Sequence, residues 1–199
     1  IMERLVGSEM CIRDSRRWDP TRSKLGAAIS RARQTQYELL PNEGDTCLYL
    51  GAGHGTSISH LHDQVCGAKN EKSGRIIAVD LSPRCLRDLV HLATLRPGLV
   101  PVLGDARKHA AWGVMVSNKV DWLLQDVSQA GQAEIFIKAV KRFLKPGGKG
   151  LLSLKAASER FSEGGEREVF KQVRAQLEDA GLQIEEQIDL HGLEAVSYT

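Results

Sequence analysis

The sequence predicts an α/β fold of the doubly wound, Rossmann-like type, with helices on both faces of a mostly parallel sheet. Short apolar runs alternate with amphipathic helical segments along most of the chain, as in parallel strands joined by helices. The first run ends in closely spaced glycines, and several later runs end in a carboxylate or a lysine. Ligands of such sheets bind where the strands end, so the pattern predicts a cleft along one edge.

Composition restricts the class of protein. The chain has 199 residues, of which 42% are hydrophobic and 26% charged, and this fits a single globular domain with its own core. Its apolar runs are shorter than a membrane span, and we find no secretory leader. We therefore expect an intracellular, cytoplasmic protein.

Neither the cysteines nor the net charge points to a particular ligand. The four cysteines form no CxxC pair, and no His/Cys cluster has zinc spacing, so we expect reduced thiols and no metal. The formal net charge is only +2. Binding to RNA would therefore need a local basic patch, or a partner that shares the RNA contacts.

Residues 1–17 give no structural prediction. Within them, residues 9–15 (EMCIRDS) resemble the translation of a sequencing adapter, although a native lead-in remains the alternative. We assign them no function. The domain predicted from the sequence is therefore residues 18–199.

A helix is predicted over residues 20–32, with Asp19 as its N-cap and Pro20 at its first position. Its apolar face would consist of Leu25, Ala28, Ile29 and Ala32. Lys24 would then lie on another face. Cations in that position are usually solvated, so a catalytic role for Lys24 requires separate support.

A strand, a tight turn and a helix start are predicted at residues 47–57, CLYLGAGHGTS. Gly51, Gly53 and Gly55 allow a sharp turn and close approach of a ligand to the backbone. The positive end of the following helix favours a carboxylate or phosphate. The glycine spacing is tighter than in dinucleotide sites and is typical of S-adenosylmethionine (SAM) sites, although a purely structural turn is the alternative.

The next two strands, residues 75–80 and 99–103, each end at a carboxylate. Asp80, about 25 residues past the glycines, could accept hydrogen bonds from both ribose hydroxyls of a nucleoside. Its alternative role is a helix cap, for which Ser82 is the better candidate. Asp105, with Ala106 beside it, suits the exocyclic amine and edge of adenine.

The remaining predicted strands complete the sheet. A fourth strand, 120–125, ends at residues 126–129 (DVSQ), and a helix over 132–143 is stopped by residues 145–148 (KPGG). A fifth strand, 149–154, leads to Lys155. Helix 166–180 would follow a loop at 158–165, and strands 182–190 and 194–198 would form a closing hairpin. Seven strands with an antiparallel last strand fit the SAM-dependent methyltransferase arrangement.

Six stretches, spread almost continuously over residues 18–199, resemble one known family. They read WDPTRSKL (18–25), LYLGAGHGT (48–56), AVDLS (78–82), DAR (105–107), DVSQ (126–129) and LKA (154–156). Together they resemble fibrillarin, the RNA 2′-O-methyltransferase of box C/D ribonucleoproteins, in its archaeal form. The first and fifth stretches are the most specific. The chain has His54 where the family often has Ser, and Asp80 where it often has Glu.

The resemblance implies SAM as cofactor and a ribose 2′-hydroxyl of rRNA or tRNA as methyl acceptor. Lys155 would orient that hydroxyl and accept or relay its proton, Asp126 would bridge Lys155 and Lys24, and Glu194 would complete the network. No metal is required. The residues expected to bind the cofactor are Gly51, Ala52, Gly53, Thr56, Ser57, Asp80, Leu81, Asp105, Ala106, Asp126, Val127 and Gln129.

The same resemblance implies an assembly in which a guide RNA selects the target RNA. A Nop-family scaffold protein and a kink-turn-binding protein would complete it. Arg22, Lys24, Arg107, Lys108 and the loop 158–165 are candidates for contacts with the RNA backbone. Two other functions remain open at this point: a SAM-dependent methyltransferase of a small molecule or a protein glutamine, and a non-catalytic ribonucleoprotein subunit.

Overall fold

A computed structural model describes residues 16–33, 38–159 and 165–190. These residues form a parallel sheet with the strand order β3-β2-β1-β4-β5. The strands are β1 Thr46–Leu50, β2 Arg75–Asp80, β3 Leu99–Leu103, β4 Val120–Gln125 and β5 Leu144–Leu152. The predicted doubly wound α/β class is confirmed.

Six helices connect and flank the strands within the described ranges. They are α1 Lys24–Arg31, α2 Thr56–Val65, α3 Pro83–Leu95, α4 His109–Trp112, α5 Gln132–Phe143 and α6 Gly165–Asp179. Three short 3₁₀ turns lie at Pro20–Arg22, Gly113–Met115 and Ala156–Ser158. The turn and helix at residues 109–115 have no counterpart in the sequence prediction.

The central strands β1, β2 and β4 are buried on both faces, and this explains their mainly apolar sequences. Successive residues of β1 enter opposite cores, because strand side chains alternate between faces. Leu48 and Leu50 pack with Phe136 of α5 on one face. Cys47 and Tyr49 pack on the other face with the residues of α2 and α3. Helices therefore cover both sides, as the fold class requires.

The strand order reverses between β1 and β4, and this reversal locates the cleft. β1 pairs with β2 on one side and with β4 on the other. The chain therefore continues outward from β2 to β3 on one side of β1, and outward from β4 to β5 on the other side. Doubly wound sheets bind ligands at this switch point, beyond the carboxyl ends of the strands. Gly51 follows β1 and Asp126 follows β4, so both lie at that point.

The first helix differs from the prediction because it is interrupted at Ser23. Asp19 caps only a 3₁₀ turn, accepting a hydrogen bond from Thr21 N at 2.9 Å. Ser23 is extended, with φ −152° and ψ 119°, and begins α1 as a second N-cap. The buried residues of α1 are Leu25, Gly26 and Ala27. Ala28, Ile29 and Ala32, expected on the buried face, are only half-buried.

The predicted hairpin is not formed in the described residues. Residues 182–190 have no strand assignment, although their exposure alternates as in an extended chain. Two of their hydrogen bonds go to the end of α1 and the residues after it: Arg31 donates to the Asp189 carbonyl at 2.7 Å, and Arg33 N donates to Glu186 Oε1 at 3.0 Å. Strand 194–198 lies outside the described residues. β5 also begins earlier than predicted, because Leu144 already pairs with Val120.

Two further observations concern the prediction from composition. Among the residues described, no helix combines the length and the apolar character needed to cross a bilayer. Cys47, Cys66 and Cys85 are free thiols. Burial raises the pKa of Cys66 to about 11, so this thiol stays protonated at neutral pH.

Candidate active site at the strand tips

Packing before α1 fixes the position of Lys24. Trp18 stacks on His60 of α2, with ring centroids 4.8 Å apart and an interplanar angle of 8°. A Cβ on Gly26 would lie 3.0 Å from the Trp18 ring, so this position suits a glycine. Ser23 accepts a hydrogen bond from Gly26 N at 3.1 Å. These contacts hold the first turn of α1, and Lys24 with it, against α2.

Lys24 forms an ion pair with Asp126 at the tip of β4. The two side chains are only 18% and 20% exposed, so solvent screens their charges less than on an open surface. The expectation that Lys24 would lie on a solvated face is therefore wrong. The break of the first helix at Ser23 explains the difference, because it changes the direction in which Lys24 projects.

Gly51 provides the close approach between the tips of β1 and β4. Its φ is +81°, and a Cβ there would lie 2.2 Å from the Asp126 carbonyl oxygen. Asp126 N in turn donates to Leu50 O at 2.8 Å. A side chain at position 51 would therefore separate the two strand tips, so the glycine is needed for packing as well as for conformation.

Lys155 reaches the same segment from β5. Its Nζ donates to Ser128 Oγ at 2.8 Å. Ser128 is two residues past Asp126, so the amines of Lys24 and Lys155 contact one short loop. The structure thus places both lysines against the segment that begins at Asp126. The observed contact of Lys155 is with Ser128, two residues past the aspartate that was predicted to bridge the two lysines.

The start of α2 is arranged to receive an anion. Gly55 occupies the N-cap position with φ +89°, and no side chain there accepts a hydrogen bond from the helix. The first backbone N–H groups of α2 and the positive end of its dipole therefore face the cleft without a side-chain cap. Thr56, at the first helical position, is exposed, whereas Ala52 is buried beneath the loop.

Asp80 joins the glycine loop to the start of α3. Its Oδ2 accepts from Gly53 N and its Oδ1 from Ser82 N, both at 2.8 Å. Ser82 itself is the N-cap of α3 and accepts a hydrogen bond from Cys85 N at 3.4 Å, so the helix cap is formed by Ser82, the better candidate in the sequence. Each carboxylate oxygen of Asp80 keeps a lone pair for a hydroxyl donor. Leu81 beside it is 56% exposed and offers an apolar surface.

Asp105 is held by Arg107 in a way that the sequence reasoning missed. The guanidinium donates to both carboxylate oxygens, at 3.1 Å from Nε and 2.7 Å from Nη2, and Gln129 Nε2 adds a bond at 3.2 Å. The Arg107 and Gln129 hydrogen bonds hold the pKa of the Asp105 carboxyl well below its usual range. Ala106 is buried beside it. The side chain of Arg107, which was predicted to contact RNA, forms its observed ion pair with this carboxylate.

Ser57 has a different contact from the one expected. Its hydroxyl is buried and lies 2.7 Å from Ser23 Oγ, so it joins α2 to the cap of α1. It thus helps to place Lys24. Val127 is buried at the tip of β4, and a Cβ on Gly51 would lie 3.2 Å from its side chain.

Some predicted residues cannot be placed. Glu194 and residues 160–164 of the predicted loop lie outside the described ranges. Arg22 and Lys108 are exposed. Within the described chain, no group of three or more His, Cys, Asp or Glu side chains could hold a metal ion.

Comparison with known proteins identifies the family. The sequence model of the fibrillarin family matches residues 2–197. The chain belongs to the fibrillarin family. A fibrillarin-like rRNA/tRNA 2′-O-methyltransferase of Thermococcus gammatolerans is 43% identical over 160 residues, 80% of this chain and 66% of that protein. One of the same name from Methanocaldococcus jannaschii is 37% identical over 178 residues, 89% of this chain and 72% of that protein.

Solved fibrillarin structures have the same fold as this family member. A Methanococcus jannaschii fibrillarin superimposes with a TM-score of 0.77 at 35% identity, covering 89% of this chain and 73% of that one. The Aeropyrum pernix fibrillarin, which contains natively bound SAM, gives 0.73 at 33% identity, covering 88% and 72%. A fibrillarin in complex with Nop5p gives 0.68 at 34% identity, covering 81% and 72%.

Proposed function

We propose that this fibrillarin-family chain is a SAM-dependent RNA 2′-O-ribose methyltransferase. It would act on rRNA or tRNA as the catalytic subunit of a box C/D guide ribonucleoprotein. One observation carries the proposal: Lys24 and Lys155 both contact the segment 126–128, directly beside the glycine loop. A methyltransferase of small molecules would need the cofactor cleft but not this convergence.

The cleft suits SAM in each of its parts. The uncapped start of α2 favours the carboxylate of the methionine moiety, because N–H groups and the helix dipole both stabilise an anion there. Asp80 can accept ribose hydroxyls, and exposed Leu81 offers an apolar face to the base. Asp105 and Ala106 lie at the neighbouring strand tip. Bound SAM supplies an electrophilic methyl group on a positively charged sulfur.

The chain's own residues would then act on the ribose 2′-hydroxyl. Transfer forms an O–C bond, breaks the S–C bond and releases the hydroxyl proton. Lys155 orients the hydroxyl and, in its neutral form, accepts that proton. Lys24 and Asp126 hold the loop that Lys155 contacts through Ser128. Alignment of this kind can lower a barrier by up to about 7–11 kcal/mol, so positioning supplies most of the expected acceleration.

Selection of the target RNA would depend on partners. The net charge of +2 is small for a protein that binds RNA alone. The solved complex of a fibrillarin with Nop5p supports a Nop-family scaffold as one partner. A guide RNA and a kink-turn-binding protein are proposed as the others.

The test is reconstitution with guide RNA, target RNA and the two partner proteins. Labelled methyl groups are followed from SAM into the target. A 2′-O-methyl group blocks alkaline cleavage at the adjacent phosphodiester, so the product should survive hydrolysis as a dinucleotide at the guided position. Label found on a base, or on protein, would reject the proposed reaction.

A further inference from the structure

The side chain of Gln132 forms two hydrogen bonds with the backbone of Lys155. Its Nε2 donates to Lys155 O at 2.9 Å, and its Oε1 accepts from Lys155 N at 3.0 Å. β5 ends at Leu152, so Lys155 lies beyond the last strand pairing with β4. The amide of Gln132 therefore makes the two hydrogen bonds that a neighbouring strand would otherwise provide.

Gln132 is itself fixed from the tip of β4. Its side chain is fully buried, and its carbonyl accepts a hydrogen bond from Gln125 Nε2 at 2.8 Å. Gln125 is also fully buried and is the last residue of β4, immediately before Asp126. A chain of hydrogen bonds thus links the last residue of β4 to the backbone of Lys155 through the buried side chain of Gln132.

Glu159 secures the other end of the same segment. Its carboxylate accepts from Gly131 N at 3.0 Å and from Gln132 N at 2.8 Å, so it caps the start of α5. Residues 155–159 are therefore attached to this helix start at two points. The Ala156–Ser158 turn lies between them.

We propose that Gln132 is a positioning residue that sets the place of the Lys155 amine relative to the segment 126–128. The inference rests on the proposed function, in which Lys155 acts on the ribose hydroxyl. An apolar side chain of the same size would fill this buried space without the cost of desolvating an amide. The buried amide of Gln132 is satisfied by the backbone of Lys155, whose carbonyl accepts from Gln132 Nε2 and whose N–H donates to Gln132 Oε1. A displacement of about 1 Å at a reacting group can cost about 100-fold in rate.

The decisive variant is Gln132→Met, which keeps the length of the side chain but removes both hydrogen bonds. In the reconstituted complex, kcat should fall about 10- to 100-fold, while the KM for RNA and the affinity for SAM change less than about twofold. Gln132→Glu retains the acceptor for Lys155 N but places a second acceptor against the Lys155 carbonyl, so kcat should fall in this variant too. Val173→Ala is the control for packing, because Val173 lies in the apolar cluster with Leu154 and Ala156 but takes no part in the hydrogen bonds between Gln132 and Lys155.

A second measurement does not depend on activity. Hydrogen exchange at the Lys155 amide should accelerate at least about tenfold in Gln132→Met, and not in Val173→Ala, because Gln132 Oε1 is the acceptor for that amide. Unchanged exchange, or faster exchange with unchanged kcat, would overturn the positioning role. A wild-type complex that transfers no methyl to RNA, with the Lys155 amide protected, would instead overturn the proposed function and with it this role.

Discussion

Lys24 and Asp126, which are 102 residues apart in the chain, form an ion pair where the strand order of the sheet reverses. The pair joins the segment before the sheet to the centre of the cleft. Because both side chains are about four-fifths buried, removal of either one leaves the other charge poorly compensated. The pair is therefore the first target for mutation.

Lys24→Met should lower kcat by about 10- to 1,000-fold and destabilise the fold by about 1–3 kcal/mol, because Asp126 keeps its charge without a partner. Lys24→Arg, which can retain the pair, should keep more of both. Urea denaturation and methyl transfer measure the two effects. Adding Asp126→Asn should recover part of the lost stability, since the unpaired charge is then removed.

The matched control is Lys138→Met. Lys138 pairs with Glu134 on α5, but these side chains are 62% and 70% exposed. Surface pairs of this kind contribute about 0–1 kcal/mol, so stability and activity should hardly change. Equal losses in Lys24→Met and Lys138→Met would show that burial does not distinguish the two pairs.

A second prediction concerns Lys155. Lys155→Met should reduce methyl transfer at least about 100-fold while SAM binds with unchanged affinity, because the amine contacts Ser128, beyond the tip of β4. Binding is measured by calorimetry and transfer by labelled SAM. Lys149→Met, within β5 and paired with Glu38, is the control and should transfer methyl normally. Full activity in Lys155→Met would remove this residue from the mechanism.

A third prediction is that substitutions of Gly51 and Gly53, two glycines of one loop, have different effects on stability and on SAM binding. Gly51→Ala places a Cβ 2.2 Å from the Asp126 carbonyl and should destabilise the fold by more than about 2 kcal/mol. Gly53, with φ +60°, has no atom within 4 Å of an added Cβ, so Gly53→Ala should cost only about 1–2 kcal/mol for its backbone conformation.

Affinity for SAM distinguishes the second variant. An added Cβ at position 53 would lie in open space beside the glycine loop. Because this loop is the proposed SAM site, we expect the methyl group to obstruct the cofactor and SAM to bind at least about tenfold more weakly, although the protein stays folded. Thermal unfolding and calorimetry provide both values. Similar stabilities in the two variants would mean that the Gly51 contact relaxes easily, and undiminished SAM affinity in Gly53→Ala would place the cofactor elsewhere.

The strands were predictable because each has a local signature. β1, β2 and β4 are buried on both faces over most of their length, so each is mainly apolar and ends at a glycine or a polar residue. The polar strand ends then indicated one edge of the sheet as the cleft. Periodicity and turn residues are sufficient for this level of description.

The details that depend on packing were not predictable. Asp19 and Ser23 are equally acceptable as N-caps, and the contacts that fix this segment, Trp18 on His60 and Ser23 with Ser57, join residues that are distant in the chain. Gln132 looks like an ordinary helix residue, since its partner Lys155 is 23 residues away. Non-local contacts of this kind leave no periodic signal in a single sequence.

The last prediction is a pH dependence of stability. The carboxyl of Asp105 has a folded-state pKa far below its unfolded value of about 3.9, because Arg107 and Gln129 donate to it. This stabilisation is fully present above the unfolded pKa and is lost as the pH falls through the folded pKa. Arg107→Met should therefore lower the urea midpoint most at pH 7, and the difference from wild type should shrink below about pH 4.

Arg84→Met, which removes an exposed arginine at the start of α3, is the control and should show no such convergence. A difference for Arg107→Met that stays constant from pH 7 to pH 3 would mean that this variant acts through packing and not through the charge of Asp105.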